Sequence, residues 1–325
     1  MAHLTDKHLA LARRGDLEGV RRTVEADPGL LAVRPDAHGR TLLWEAVRFG
    51  HEDLVSFLAE RGAPVDVPGR HRAESFVLLT PLCVARWRGR DGLAGKLESL
   101  GARLSVYDAA FLGDLAAVRS FVAADPPLID RSLPEDTLWQ TTPLHYAASG
   151  VQMEVARFLC EQGADVPAHG PLLLEIAARR GSRELVELFL GHGADARQVK
   201  AYAALVGGRG AELLPLLVSR GLKVNQDEFG YPALVYASRG DKGEHPDWIE
   251  ALLGNGAHVN VRDRKGRTAL HAAAEAGFCR VAKVLLGAGA EVNARCHEDR
   301  TPLWAAQRKR RLHMEALLES CGGAV

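Results

Sequence analysis

The stretch Lys265–Ala294, KGRTALHAAAEAGFCRVAKVLLGAGAEVNA, is one complete helix–turn–helix unit, and most of the chain reads as variations on it. Thr268 carries a hydroxyl that can cap the first free amides of a helix. Sister segments place proline directly after the equivalent threonine, where a missing N–H costs least. The run Ala272–Ala274 leaves this first helix little side-chain bulk, so a neighbour can lie close, and Gly277 permits the backbone conformation that ends it. Val281, Val284 and Leu285 then recur at i, i+3 and i+4, one apolar face of a second helix, and Gly289 marks its stop before the extended segment from Glu291 to Asn293. A unit of about 33 residues cannot stand alone. Each buried aliphatic side chain contributes roughly 1.5–3 kcal/mol, less in total than the entropy of ordering the chain, so the unit must stack on copies of itself.

The order G-x-T-x-L-H-x-A-A, a glycine turn, an apolar helix and G-A-x-V-N resembles the ankyrin repeat. Gly266, Thr268, Leu270, His271, Ala273, Gly277, Gly289, Ala290, Val292 and Asn293 all match. The resemblance implies an all-α solenoid of stacked helix–turn–helix units with hairpin fingers, about ten repeats long. It covers nearly the whole chain, residues 1–325, read as a single elongated array. The first copy, Leu9–Leu31, has arginines where inner copies are apolar and suits a cap; the second, Gly39–Asp66, carries Trp44 in place of the histidine. The third opens at Thr80 after an unusually long connection, residues 67–79. Aligning Ala12–Leu31 with Ala110–Ile129 gives 11 identities in 20 positions at an offset of 98. The finger before Ser105 is nearly absent, so a sub-array boundary is expected near residue 104, with repeats one to three before it and four to ten after. The fifth copy opens with Thr142-Pro143-Leu144-His145. The sixth, Leu172–Asp195, has a shrunken hairpin and Glu175 at the histidine position. The seventh, Ala201–Asn225, has the glycine-rich run Gly207-Gly208-Arg209-Gly210 and Pro215 inside its second helix, and is expected to open before repeats eight and nine. The hairpin tips look too short for strand ladders, so no true sheet is expected.

The 41 basic and 41 acidic residues leave no net charge, so no global field recruits nucleic acid or an anionic membrane. Eight lysines leave 41 − 8 = 33 arginines, side chains suited to bidentate and stacked contacts, though a GC-rich genome gives the same bias. The five cysteines are scattered, with no C-x-x-C pair, so neither a disulfide framework nor a zinc cluster is indicated. No signal-peptide core and no run of about 18 apolar residues occurs. The expectation is a cytoplasmic protein, monomeric, without cofactor or membrane contact.

Catalytic motifs are missing. Gly191–Ala196 satisfies G-x-G-x-x-A literally, but it follows a helix and opens none, so it cannot cradle a pyrophosphate. No nucleophile elbow, phosphate-binding loop or zinc helix is present, so no catalytic, cofactor or metal residue is assigned. His145 and His271 occupy the repeat's T-x-L-H position, where an imidazole can satisfy the polar groups of the adjacent hairpin and helix start; Trp44 and Trp304 share that position and read as packing between finger and helix. The resemblance implies a non-catalytic interaction scaffold that recognises a protein on the concave surface of fingers and first helices. The slots facing that surface hold Phe49, Trp87 between Arg86 and Arg88, Leu138 and Trp139, and Arg264, Lys265 and Arg267. Aromatic and arginine side chains are what interface hot spots favour. Trp87 and its arginines are expected in an outward slot whose loss leaves the melting temperature nearly unchanged. A rival reading is an enzyme or biosynthetic accessory protein with a pocket near Glu175, where the fingers shorten. Nucleic-acid binding through Arg308–Arg311 or Arg86, Arg88 and Arg90 has against it the zero net charge and the want of an interleaved aromatic platform other than Trp87.

Overall fold

A computed structural model of the chain describes residues 5–32, 40–70, 76–201, 205, 210–228, 231–240 and 243–325. Contacts group these into two compact units, Met1–Asp165 and Val166–Val325. The first unit runs through paired helices: α1 (Asp6–Arg14) with α2 (Leu17–Ala26), α3 (Leu42–Phe49) with α4 (Glu52–Glu60), α5 (Pro81–Trp87) with α6 (Asp91–Ser99), α7 (Val106–Leu112) with α8 (Leu115–Ala124), and α9 (Pro143–Gly150) with α10 (Met153–Glu161). First helices stack in series, α1 on α3, α3 on α5, α5 on α7 and α7 on α9, and each second helix packs against its own first. The second unit has α11 (Val166–Arg180) with α12 (Arg183–Gly191), then α13 (Gly210–Ser219), α14 (Ala233–Arg239) with α15 (Pro246–Gly254), α16 (Ala269–Ala276) with α17 (Cys279–Gly287), and α18 (Pro302–Arg308) with α19 (Leu312–Ser320). Here α14, α16 and α18 form one stack and α13, α15, α17 and α19 a second. Among the described residues no helix is long and apolar enough to cross a membrane.

The close stacking follows from the small residues. Ala269, Ala272, Ala273 and Ala274 of α16 are buried together with Leu270, which lets α14 and α18 approach on either side. Gly277 ends α16 at φ 85°, a left-handed conformation that suits glycine. Gly240 shows why its side chain must also be missing: a Cβ there would lie 1.9 Å from the Phe278 ring of the following repeat. Two features differ from expectation. Two short antiparallel strand pairs do form, β1 (Gly69–Arg70) with β2 (Leu78–Leu79) and β3 (Asp227–Glu228) with β4 (Tyr231–Pro232). In the sixth repeat α11 begins already at Val166 with Pro171 inside it, so the finger is replaced by helix. The similarity of residues 12–31 and 110–129 extends to structure. Both follow their second helix with a 3-10 turn, Pro28–Leu31 and Pro126–Ile129, and both cap that helix with an aspartate, Asp16 and Asp114. Residues 207–209 of the seventh repeat's glycine run lie outside the described residues.

The long connection before Thr80 has a physical role. The fourth repeat lacks a finger, and the third repeat's finger passes over it to the fifth. The Arg70 guanidinium donates to Asp136 Oδ1 at 3.0 Å, and both side chains are buried. Leu78 N–H donates to Tyr146 Oη at 3.2 Å while that hydroxyl donates to the Leu78 carbonyl at 3.0 Å. Phe76 meets the Trp139 ring edge to face with centroids 5.1 Å apart. Asp136 also accepts from the amides of Trp139 and Thr141, both at 3.2 Å, so one carboxylate closes the fifth repeat's turn and anchors the incoming finger.

Polar side chains at the helix starts of the second and ninth repeats tie each to the repeat that follows. Thr268 N–H donates to His271 Nδ1 at 3.1 Å. With Nδ1 accepting, Nε2 carries the proton and donates to the Arg300 carbonyl of the next repeat at 3.0 Å. Trp44, at the same position in the second repeat, reaches the equivalent carbonyl, Leu79, through Nε1 at 2.7 Å. At the other end of the unit, Asn225, Asn260 and Asn293 each donate to a glycine carbonyl one repeat on and accept an amide there, as Asn260 does with Gly289 at 3.2 Å and Glu291 at 2.9 Å. Burial holds the His271 imidazole below its ordinary range, opposed by its bond to Arg300. Because an unfolded histidine titrates near about 6.5, on acidification the unfolded chain takes up a proton before the folded one does. The contribution is therefore full above about pH 6.5 and is lost as pH falls through the lower folded value. His271→Leu should destabilise by about 1–3 kcal/mol at neutral pH, and urea unfolding should show the gap between wild type and variant shrinking toward pH 5.

Candidate functional site

The fingers and first helices of the last two repeats enclose a cavity of about 370 Å³. The ninth repeat's hairpin contributes Arg264, Lys265 and Arg267, and α16 contributes His271 and Glu275, four residues apart on one face. From the tenth repeat come Arg300 and Glu298 of the hairpin and Trp304, Arg308 and Lys309 of α18 and its end. The turn of the ninth finger is built on Asp263. This buried carboxylate accepts from the amides of Lys265 at 2.8 Å and Arg267 at 2.9 Å and pairs with the Arg267 guanidinium at 2.8 Å. His297 N–H donates to the Lys265 carbonyl at 2.9 Å, so the two fingers are held together at their tips.

Six cationic side chains thus face two carboxylates. Arg267 and Lys309 share Glu275, at 3.6 and 3.5 Å, and Arg300 pairs with Glu298. Lys265 and Arg308 make no ion pair among the described residues. Arg308 instead lies over the Trp304 ring, 5.3 Å from its centroid, with the Arg300 guanidinium at 4.1 Å. His271 is committed to its structural bonds and offers no free nitrogen.

The structure brings Arg264, Lys265 and Arg267 together at this cavity and places the other candidates in the first unit. Trp87 is 37 % exposed, but its ring meets the buried Phe111 edge to face at 5.4 Å. Part of Trp87 therefore packs on the core, because Phe111 on α7 of the next repeat rises against it, and the slot is only partly outward. Arg88 covers the Trp87 ring at 4.8 Å, and Arg86 is engaged by Glu98. Phe49 is exposed, with the Arg48 guanidinium 5.0 Å from its centroid. Leu138, at 68 %, is far more open than Trp139, whose ring is partly used by Phe76. Sequence reasoning missed Trp304, Arg308 and Lys309 as members of the cavity, taking the first for packing between finger and helix and the others for part of a basic run weighed only against nucleic acid. The spacing of Trp304 and Arg308, one helical turn apart, was the signal. Glu175 is half-buried on α11 with Arg179 Nη1 at 3.9 Å. Burial pushes its carboxyl up, and Arg179 and Lys200 act against that.

Family models for ankyrin repeats match residues 38–70, 106–200, 201–296 and 241–324. The chain is 29% identical over 256 residues to the ankyrin repeat and KH domain-containing protein mask-1 of Caenorhabditis elegans, a match that covers 74% of this chain and 9% of that protein. The chain thus spans less than a tenth of that relative's length. Among solved structures, the ankyrin repeat domain of human ASB11 superposes with a TM-score of 0.55 at 26% identity, covering 69% of this chain and 100% of that one. That of Bcl-3, described as a member of the IkappaB protein family, gives 0.53 at 23% identity, covering 67% and 99%; at that identity the likeness shows the fold alone. The positive excess around Trp304 has a direct readout, since exposed cations concentrate iodide near the ring and salt screens them. Iodide should quench wild-type fluorescence more than Trp304→Phe fluorescence, with caesium showing little such difference, and the iodide difference should fall as ionic strength rises.

Proposed function

The chain belongs to the ankyrin-repeat family, and from that premise we propose that it is a non-catalytic scaffold binding a partner protein on the surface formed by its fingers and first helices. The observation that carries the reading is the cavity at the last two fingers. It is lined by finger tips and by the exposed turn of each first helix, and it draws in Arg264, Lys265 and Arg267. In the first unit the corresponding contact is Trp87 with Arg88 stacked on it, together with Phe49, Leu138 and Trp139. A partly exposed aromatic ring braced by a neighbour and paired with a guanidinium combines the residue types that binding hot spots favour. A single array with a sub-array boundary near residue 104, a monomeric state, a cytoplasmic location and the absence of nucleic acid among its partners belong to the same proposal.

With a partner purified by affinity capture, Trp87→Ala combined with Arg88→Ala should weaken binding by about 2–4 kcal/mol. The Phe111 contact adds a stability loss of its own, so binding must be measured well below the variant's melting temperature, with Arg88→Ala as the variant that leaves that contact in place. Binding indifferent to both variants would remove this contact from the proposal.

A further inference from the structure

Resting on the reading of the fingers and first helices as a binding surface, we propose that the cavity between the last two fingers receives an acidic segment of a partner protein, with Lys265 and Arg308 as its carboxylate receptors. Four cations of the wall are already engaged or held in place, Arg267 by Asp263 and Glu275, Lys309 by Glu275, Arg300 by Glu298, and Arg264 elsewhere. Lys265 at the finger tip and Arg308 on α18 are exposed, carry no carboxylate of their own among the described residues, and line one cavity from two successive repeats. A guanidinium stacked on an indole keeps its donor edge free and pre-oriented, which favours bidentate capture of a carboxylate. The ammonium of Lys265 supplies a point charge for a second one. The exposed stem of Arg308 gives apolar surface against which a peptide can lie.

The same features disfavour a nucleic acid. A strand needs an open ring face for base stacking and a basic track for successive phosphates. Here two guanidinium groups stand over the Trp304 ring, and Glu275 and Glu298 interrupt the positive wall. A single small anion would leave the second receptor unused. A chain with carboxylates spaced along it satisfies both.

The test is a fluorescence-anisotropy titration of the full chain at low ionic strength with a fluorescein-labelled eight-residue peptide of alternating Glu and Ala, its Gln counterpart, and an oligouridylate of the same length. The Glu peptide should bind, the Gln peptide should not, and added salt should weaken binding. Lys265→Glu and Arg308→Glu should each reduce affinity by about tenfold or more, whereas Lys283→Glu, on the exposed side of α17, should leave it unchanged. Should Arg308→Glu perturb folding, Lys265→Glu at the finger tip decides alone. Equal binding of the Gln peptide, equal loss in Lys283→Glu, or tighter binding of the oligouridylate would overturn the proposal. If the Glu peptide fails to bind while Lys265→Glu still abolishes binding of a captured protein partner, the acidic ligand is wrong and the binding surface stands. If neither is affected, both readings fail at this site.

Discussion

Among the described residues, helix starts and turns of several repeats leave buried donors and acceptors that the neighbouring repeat satisfies. A short helix alternating with a short helix exposes many unsatisfied backbone groups for each apolar residue it buries. The chain meets this with side chains that reach across the repeat boundary. His271 spans from Thr268 to Arg300, Trp44 from its own helix to Leu79, and Asn260 from one turn to the next. Different residue types occupy the same position because what the position demands is a donor of the right reach. The alanine-rich first helices make the second half of the same bargain, because only a nearly smooth helix lets the neighbour's carbonyl come within hydrogen-bonding distance.

That constraint explains the chain's largest irregularity. The fourth repeat has no finger, and the third repeat's long finger reaches the fifth. Arg70 with Asp136, Leu78 with Tyr146, and Phe76 with Trp139 are the three contacts by which it does so, one ionic, one hydrogen-bonded and one aromatic. Insertion and deletion are thus two parts of one structural solution. One result is that the partly exposed Trp139 ring is braced by Phe76 of the incoming finger.

The repeat framework was legible in the sequence because its demands are local: Thr268 before a helix, Gly277 after it, Val281 and Leu285 on one face. The similarity of residues 12–31 and 110–129 was legible for the same reason. What escaped notice lies between segments distant in sequence. Nothing in Arg70 alone points to Asp136, 66 residues away, and the length of the connection showed only that the finger was long. Trp87 read as outward from its place at the end of α5, but whether a neighbour covers it depends on Phe111 in the next repeat. At the basic cavity Arg264, Lys265 and Arg267 were legible as an exposed run. Trp304 and Arg308 were hidden because the first read as packing between finger and helix and the second as one member of a basic run.

The claim that buried polar groups are satisfied across repeats is tested most directly by a double-mutant cycle on Arg70→Met and Asp136→Asn, followed by chemical unfolding. Both partners are buried and joined at 3.0 Å, so each single change leaves the other's buried charge without its counter-ion. The account predicts that the double variant is more stable than the sum of the two losses implies, by about 1–3 kcal/mol of coupling. Losses that add to within about 0.5 kcal/mol would contradict it, because the long finger would then be held by something other than this pair.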